Sequence, residues 1–434
     1  MPKNSTQLFV RPTLLALAAA ACVSAIAQES TQTLSEVVVT ASGFEQELKQ
    51  APASISVVTR EELERKSFRD VAEALHGVEG IDVRSGQGKT GGLNISMRGM
   101  PSSFTLILVD GRRTNPAGEI TPNGFGDANN IMIPPVSAIE RIEIVRGPMS
   151  TLYGSDAMGG VVNIITRKVA KKWTGSASLE GSLPETRGEG ATQKANFYLS
   201  GPIKNDVLGV TLRGGFTHRD AYDRPALGIS SDTSGNVPGK SDVYSLGAKF
   251  SLTPTQGQQF WLDVETQRSK YDNRLSAMGN LDTRTNARGY GPELRFNRDA
   301  IAIGYEGQTQ LGLLSTSLSH RKNETLGRTI PRDAAQPPAF PAGSARTLDS
   351  QSTYLDAKIV STLGNTSILN TGLQLGHEEA RDGLSIATGT PKFTQKTWAI
   401  FAENEWFIMP TLALTTGIRY DHHDKFGGNF SPRG

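Results

Sequence analysis

Past residue 173 the chain alternates. VYSLGAKFSL (243–252) sets Tyr244, Leu246, Ala248, Phe250 and Leu252 on one side, with Ser245, Gly247, Lys249 and Ser251 on the other. VTLRGGFT (210–217), IAIGYEG (301–307) and LALTTGIRY (412–420) follow the same rule. A period of two sends successive side chains to opposite faces, so each segment predicts a strand with one apolar and one polar face. Eleven such strands are predicted, at about 174–182, 193–200, 207–218, 243–252, 259–270, 299–309, 311–323, 352–362, 367–379, 396–408 and 411–424. Their connections sort by length. GPIKND, TPTQGQ, TQ, GNT and MP are short, while PETRGEGAT and the segments 219–242, 271–298, 324–351 and 380–395 are long and polar, in strict alternation. Membrane barrels have tight turns at one end and long loops at the other, and a soluble β-sandwich has no reason to sort its loops this way. An apolar face turned outward implies lipid as its solvent. Backbone polar groups in lipid must all be paired, so such a sheet is expected to close. A twelfth strand is expected to begin at NFSPRG (429–434), and the segment reads as about half a barrel. Trp173, Trp261, Trp398 and Trp406 are candidates for an aromatic girdle.

The preceding stretch, residues about 50–168, has another grammar. ISVVT (55–59) predicts a strand. Thr59 and Glu62 then form a capping box, repeated by Ser67 and Asp70 before DVAEALHG, which stops at Gly77. VEGIDV (78–83), NISMRG (94–99), TLILVDG (105–111), IERIEIVRG (139–147) and GGVVNIITRK (159–168) predict further strands. The joins SGQGKTGG (85–92) and GRRTNPAGEITPNGFGDANN (111–130) are too long for idle connections. Strands and helices mixed in this way predict an α+β domain ahead of the all-β region.

Residues 1–27 have the parts of a secretory signal: Lys3 and Arg11, then the apolar run LLALAAAACVSAIA (14–27), then the small-x-small site Ala25-Ile26-Ala27. The single cysteine, Cys22, lies inside it, so the mature chain has no disulfide, thiolate metal site or cysteine nucleophile. Net charge is +2, which argues against a nucleic-acid partner. Nucleophile elbow, HExxH, P-loop and CxxC patterns are all missing, so an enzyme is not expected. Between signal and domain, in segment 28–49, lies SEVVVTAS (35–42), three valines and a threonine with no strand before them to pair with. Such an edge normally invites aggregation, and here it reads as bait for another protein's sheet.

ISMRGM (95–100), TLILVDGRR (105–113) and IERIEIVRGPMSTLYGSDAMGGVVNIIT (139–166), in this order behind SEVVVTAS, resemble the TonB-dependent outer-membrane receptors. VRGPMSTLYGSDAMGGVVNIITRK is most similar to the catecholate-siderophore branch, which includes the ferric enterobactin and colicin I receptors. The resemblance implies an α+β plug domain (50–168) followed by an antiparallel transmembrane β-barrel (169–434), which in the family is 22-stranded. It implies a multi-pass protein of the Gram-negative outer membrane. The receptor would bind ferric siderophore and import it with energy from the periplasmic domain of TonB. Glu36, Val37, Val38, Val39, Thr40 and Ala41 would form the TonB-binding strand. About five main-chain bonds at roughly 0.5–1.5 kcal/mol each give a contact that can be made and broken on every cycle. Further expected partners are outer-membrane lipids and, as intruders, colicins or phage. Haem, vitamin B12 or another metallophore is the alternative cargo, and a barrel enzyme or adhesin the alternative class. No cofactor is expected, because iron arrives inside its chelator.

Arg98, Arg141, Glu143 and Arg146 are the expected contacts of the plug with the barrel wall. A water-filled lumen lowers the cost of such buried charge. For an anionic, aromatic ferric catecholate, cations and aromatic side chains on outward loops are suitable contacts. Lys89, Arg112, Arg113, Arg219 and Tyr222 are the ligand-binding candidates, with His218 and Arg224 beside them. His377-Glu378-Glu379 and His422-His423-Asp424 have metal-ligand chemistry, but nothing fixes their geometry and no metal site is expected.

Overall fold

The computed structural model describes residues 37–38, 46–47, 53–65, 68, 71–85, 93–114, 134–154, 157–186, 188–222, 239–273, 281–282, 287–288, 290–329, 345–346, 348–382, 392–409 and 412–433. The N-terminal part contains β1 (Val37–Val38), β2 (Gln46–Glu47), β3 (Ser54–Thr59), α1 (Arg60–Arg65), α2 (Val71–Ala74), β4 (Ile81–Ser85), β5 (Leu93–Met97), β6 (Thr105–Val109), β7 (Arg112–Arg113), β8 (Ile139–Arg146), α3 (Ser150–Tyr153) and β9 (Gly160–Thr166). The first capping box forms: Thr59 N–H donates to Glu62 Oε2 at 2.9 Å and Glu62 N–H to Thr59 Oγ1 at 3.3 Å. Ser67 and Asp70 lie outside the described residues. Five strands make a mixed sheet in the order β3-β8-β9-β6-β7, with β6 and β9 parallel. One face packs Val58, Leu63, Leu75, Ile142, Ile144, Val162 and Ile164; the other packs Leu106, Leu108, Val145, Leu152 and Val161. Because both faces are covered, every residue of β6 is buried and TLILV reads as an unbroken apolar run.

The second part is one antiparallel sheet. Its strands are β10 (Thr174–Ser182), β11 (Thr192–Lys204), β12 (Leu208–Arg219), β13 (Ser241–Thr255), β14 (Gln258–Asp272), β17 (Tyr290–Thr309), β18 (Gly312–Arg328), β19 (Leu348–Leu363), β20 (Ser367–Asp382), β21 (Lys392–Met409), β22 (Leu412–His423) and β23 (Gly427–Arg433), each paired with its sequence neighbour. A small hairpin, β15 (Leu281–Asp282) and β16 (Ala287–Arg288), stands in the connection between β14 and β17. Within this chain β10 and β23 are the sheet's edges.

The twelfth strand expected at NFSPRG is present as β23, beginning two residues earlier, at Gly427. Two features depart from the sequence expectation. The turn leading into β23, 424–426, is short where the alternation requires a long loop, with Gly427 at φ 79° closing it. And β17 begins at Tyr290 instead of about 299. The polarity of the faces reverses in its early part, which hides it from the alternation pattern. Leu294 and Phe296 are buried on the inner face while Arg295 is 57% exposed on the outer one, as suits a strand that has left the apolar band.

Over the rest of the sheet the faces are inside out relative to a soluble protein. Leu246, Ile400 and Ile418 are 53%, 52% and 51% exposed, while Arg213, Asp263 and Arg419 on the other face are 4%, 5% and 1% exposed. An exposed apolar surface this extensive marks contact with lipid. Trp398 and Trp406 are both exposed on β21, eight residues apart. That is roughly 26 Å along the strand, or about 20 Å of height at the usual strand tilt, most of a barrel's apolar band of about 25 Å. Trp173 is exposed too, but Trp261 departs from the girdle reading: it faces inward, lying over Gly304 and beneath Arg112. No helix among the described residues is long and apolar enough to cross a membrane.

Gly160 starts β9 at φ 150°, where an added Cβ would overlap Met97 Sδ and Val145 O. Gly160→Ala is therefore expected to loosen the N-terminal domain, raising its susceptibility to protease in detergent at least tenfold. Gly181→Ala, where nothing lies within 4 Å, is expected to leave it unchanged.

Candidate functional site

A two-residue turn organises the boundary between domain and sheet. Val109 pairs with Arg112, so Asp110 and Gly111 alone join β6 to β7. Both have positive φ, 49° and 76°, the signature of a type I′ hairpin, and Asp-Gly is the pair that tolerates it best. The turn is pinned from β9: Gly111 N–H donates to Asn163 Oδ1 (3.1 Å), and Thr166 donates to Asp110 through N–H (2.8 Å) and Oγ1 (2.7 Å). That leaves the acid and the following arginine facing the wall. Lys249 Nζ of β13 reaches Asp110 at 2.9 Å, and Arg112 reaches Asp263 of β14 at 2.7 Å. Arg213 of β12 binds Asp263 and Glu265 at 2.9 and 3.0 Å. The Trp261 ring lies under both Arg112 (5.0 Å) and Lys249 (5.5 Å). Burial alone would raise the Asp110 carboxyl, but the Lys249 and Arg112 charges and the Thr166 bonds hold it well below the usual carboxylate range.

A second contact lies around α3. Arg419 of β22, fully buried, donates to Leu152 O at 3.2 Å and to Gln374 Oε1 at 3.1 Å, and is held by Asp421 at 2.8 Å. Arg113 donates to Tyr153 O. Gly154, at φ 81°, leaves the room that both guanidiniums occupy. Burial pushes the Tyr153 hydroxyl pKa up, as do Glu143 and, from the wall, Glu403. Lys194 of β11 adds a bond to Phe68 O at 3.1 Å.

The expected wall contacts fall differently. Arg141 binds Glu143 at 2.8 Å inside the domain. Arg146 donates to Glu79 O at 2.5 Å, to Ser54 Oγ at 3.0 Å and to Ser56 Oγ, bracing β8 against β3 and the turn before β4. Arg98, at φ 50°, is exposed. Glu143 is fully buried inside the domain, where it pairs with Arg141 and raises the Tyr153 hydroxyl. Among the described residues, the bonds across to the wall come instead from Asp110, Arg112, Phe68 O and the backbone of α3, while Arg113 lies over the Tyr354 ring at 5.9 Å. Arg112 and Arg113, expected to face ligand, are thus engaged in docking. Arg219 donates to Gly239 O at 3.1 Å and Tyr222 is half-buried at the start of the loop after β12. His218 sits 2.6 Å from Asp242. Lys89, Arg224, Glu36, Val39, Thr40 and Ala41 lie outside the described residues.

Val37 and Val38 are described, and they are paired: β1 runs antiparallel to β2, Val37 opposite Glu47 and Val38 opposite Gln46, with Val38 fully buried. The valine strand expected to be free is covered by its own chain over the two residues described. Glu378 accepts from Tyr354 Oη (2.5 Å) and Gln395, and Glu379 pairs with Lys392 (2.6 Å). His423 approaches Gln395 at 3.0 Å, and no metal-holding cluster of three acidic, histidine or cysteine groups occurs among the described residues.

The family profile described as TonB-dependent Receptor Plug Domain matches residues 47–161, and the profile TonB dependent receptor-like, beta-barrel matches 179–434. The iron-regulated outer membrane virulence protein of Vibrio cholerae is 35% identical over 94% of this chain and 58% of its own length. The ferrienterobactin receptor of Escherichia coli is 30% identical over 91% and 58%. The crystal structure of the siderophore receptor PirA from Acinetobacter baumannii superposes with a TM-score of 0.71 at 25% identity, covering 87% of this chain and 58% of that one. The chain thus spans somewhat over half the length of the relatives it matches.

Because Asp110 has a depressed folded-state pKa, its contribution to docking is complete above the ordinary value of 3.8 and is lost only as pH falls through the lower folded value. Asp110→Asn is expected to weaken docking by about 3 kcal/mol, the scale for breaking a buried pair. The check is the urea midpoint for protease cleavage of the N-terminal domain between pH 4 and 7. It should be lower in the variant throughout that range, with no narrowing of the gap at pH 4.

Proposed function

Since the chain belongs to the TonB-dependent receptor family, we propose that it binds a ferric siderophore of the catecholate type outside the cell and carries it inward by TonB-driven displacement of the plug. Iron is cargo in this reading, wrapped in its chelator, and no cofactor takes part. The observation that carries it is the character of the docking surface. The plug is held by ion pairs and hydrogen bonds such as Asp110–Lys249 and Arg112–Asp263. These can re-form with water or with neighbours when the plug moves, whereas a dry apolar seam could not. The outer membrane has no ATP, so the work has to arrive mechanically. Val37 and Val38 are the handle, and their two-residue pairing with β2 makes a cover that a longer strand from TonB can displace. A ligand held at nanomolar affinity needs about 12 kcal/mol to be released, which explains why binding alone does not deliver it. The catecholate assignment is supported by the wording of 145–168 and by the ferrienterobactin receptor among the relatives.

Val38→Pro removes a donor and breaks strand pairing. In a strain whose iron supply depends on this receptor, it is expected to cut uptake of a ferric catecholate at least tenfold while whole-cell ligand binding stays unchanged. Undiminished uptake would refute the TonB step. Uptake of haem or cobalamin but not of the catecholate would keep the step and replace the cargo.

A further inference from the structure

Of the chain's four tryptophans, Trp173, Trp398 and Trp406 are exposed, while Trp261 lies inside, beneath a residue of the plug. Trp261 and Asp263 are two residues apart on β14, so ring and carboxylate share one face of the strand. Opposite Trp261 on β17 stands Gly304. An added Cβ there would overlap Cζ2 of the indole, so the ring can lie across the neighbouring strand only because residue 304 is glycine. Two cations approach the ring. Arg112 of the plug places its guanidinium carbon 5.0 Å from the centroid, and Lys249 of β13 places Nζ at 5.5 Å. Arg112 meets ring and acid together: its Nη2 binds Asp263 at 2.7 Å, while its Nε–H is buried with no hydrogen-bond partner. A buried donor in that state is costly, and the electron-rich face of an aromatic ring lessens the cost.

We propose that Trp261 is a positioning residue for plug docking: its ring takes the Arg112 guanidinium and holds it in line with Asp263. A guanidinium is flat, so it can rest on an aromatic face and still present N–H groups at its edge to a carboxylate. Lys249, bound to Asp110 at 2.9 Å, reaches the same ring from the wall. The indole therefore ties the two ion pairs of the boundary, Arg112–Asp263 and Lys249–Asp110, into one unit. This role goes beyond the uptake reading and holds for any cargo.

The test measures the rate of protease cleavage of the N-terminal domain in the whole protein, in detergent, at a urea concentration low enough for each single variant to stay largely docked. Trp261→Leu should raise that rate about tenfold, the scale of a desolvated cation–π contact. Trp261→Phe keeps a ring face and should raise it less. Most of the rise from Trp261→Leu should vanish when Arg112→Gln is already present, because the two residues act on one contact. The full rise should persist beside Lys194→Gln, which removes the separate bond to Phe68 O. An indole that only fills space would show the same rise in every background. No rise in Trp261→Leu, a rise undiminished beside Arg112→Gln, a rise lost equally beside Lys194→Gln, or Trp261→Phe as damaging as Trp261→Leu would each overturn the proposal.

Discussion

Lipid on the outside is the constraint from which the rest of this structure follows. A sheet that turns Leu246, Ile400 and Ile418 outward must collect its polar side chains on the opposite face. Those charges have left bulk water, and each then needs a partner. Neighbouring strands supply some partners, as Asp421 does for Arg419. The N-terminal domain supplies others, with its backbone carbonyls and with the acid and arginine of one tight turn. The plug therefore completes the electrostatics of the wall.

Much of this was legible in the chain. Alternation located the strands from β10 to β22, because where a strand crosses hydrocarbon its face polarity is unambiguous. The pattern fails where that solvent ends. In 290–298 apolar residues turn inward, and the alternation shows no strand in the first part of β17. Period two places Lys249 and Ser251 on a polar face, yet says nothing of what that face meets. Asp110 stands within TLILVDGRR with no local sign of a role. Its importance comes from a left-handed turn that aims it at β13, a long-range fact that no local pattern encodes. Arg112 and Arg113 were assigned to ligand by charge alone, and the structure shows them engaged with Asp263 and with Tyr153 O. Arg141 and Arg146 follow the same lesson in reverse, since charges on strands of the domain turned out to brace the domain itself.

Among the described residues the two hydrophobic clusters lie within the N-terminal domain, with Phe401 the one residue of the wall packed against either. The domain thus has a core of its own, distinct from its bonds to the wall. The β1–β2 pairing is short as well, with two residue pairs among the described residues.

The turn at Asp110 has one further consequence. Lys249 and Asp263 stand directly opposite each other on β13 and β14, and Asp110 and Arg112 flank a single turn with 3.9 Å between their charged atoms. Four charges thus sit at the corners of a square, paired across the gap when the plug is home. If the plug withdraws, each pair can swap: lysine with the aspartate of the adjoining strand, arginine with the aspartate beside it. Withdrawal would then leave each of the four ions beside an opposite charge, arginine and its own aspartate starting 3.9 Å apart against 2.7 Å for the pair across the gap.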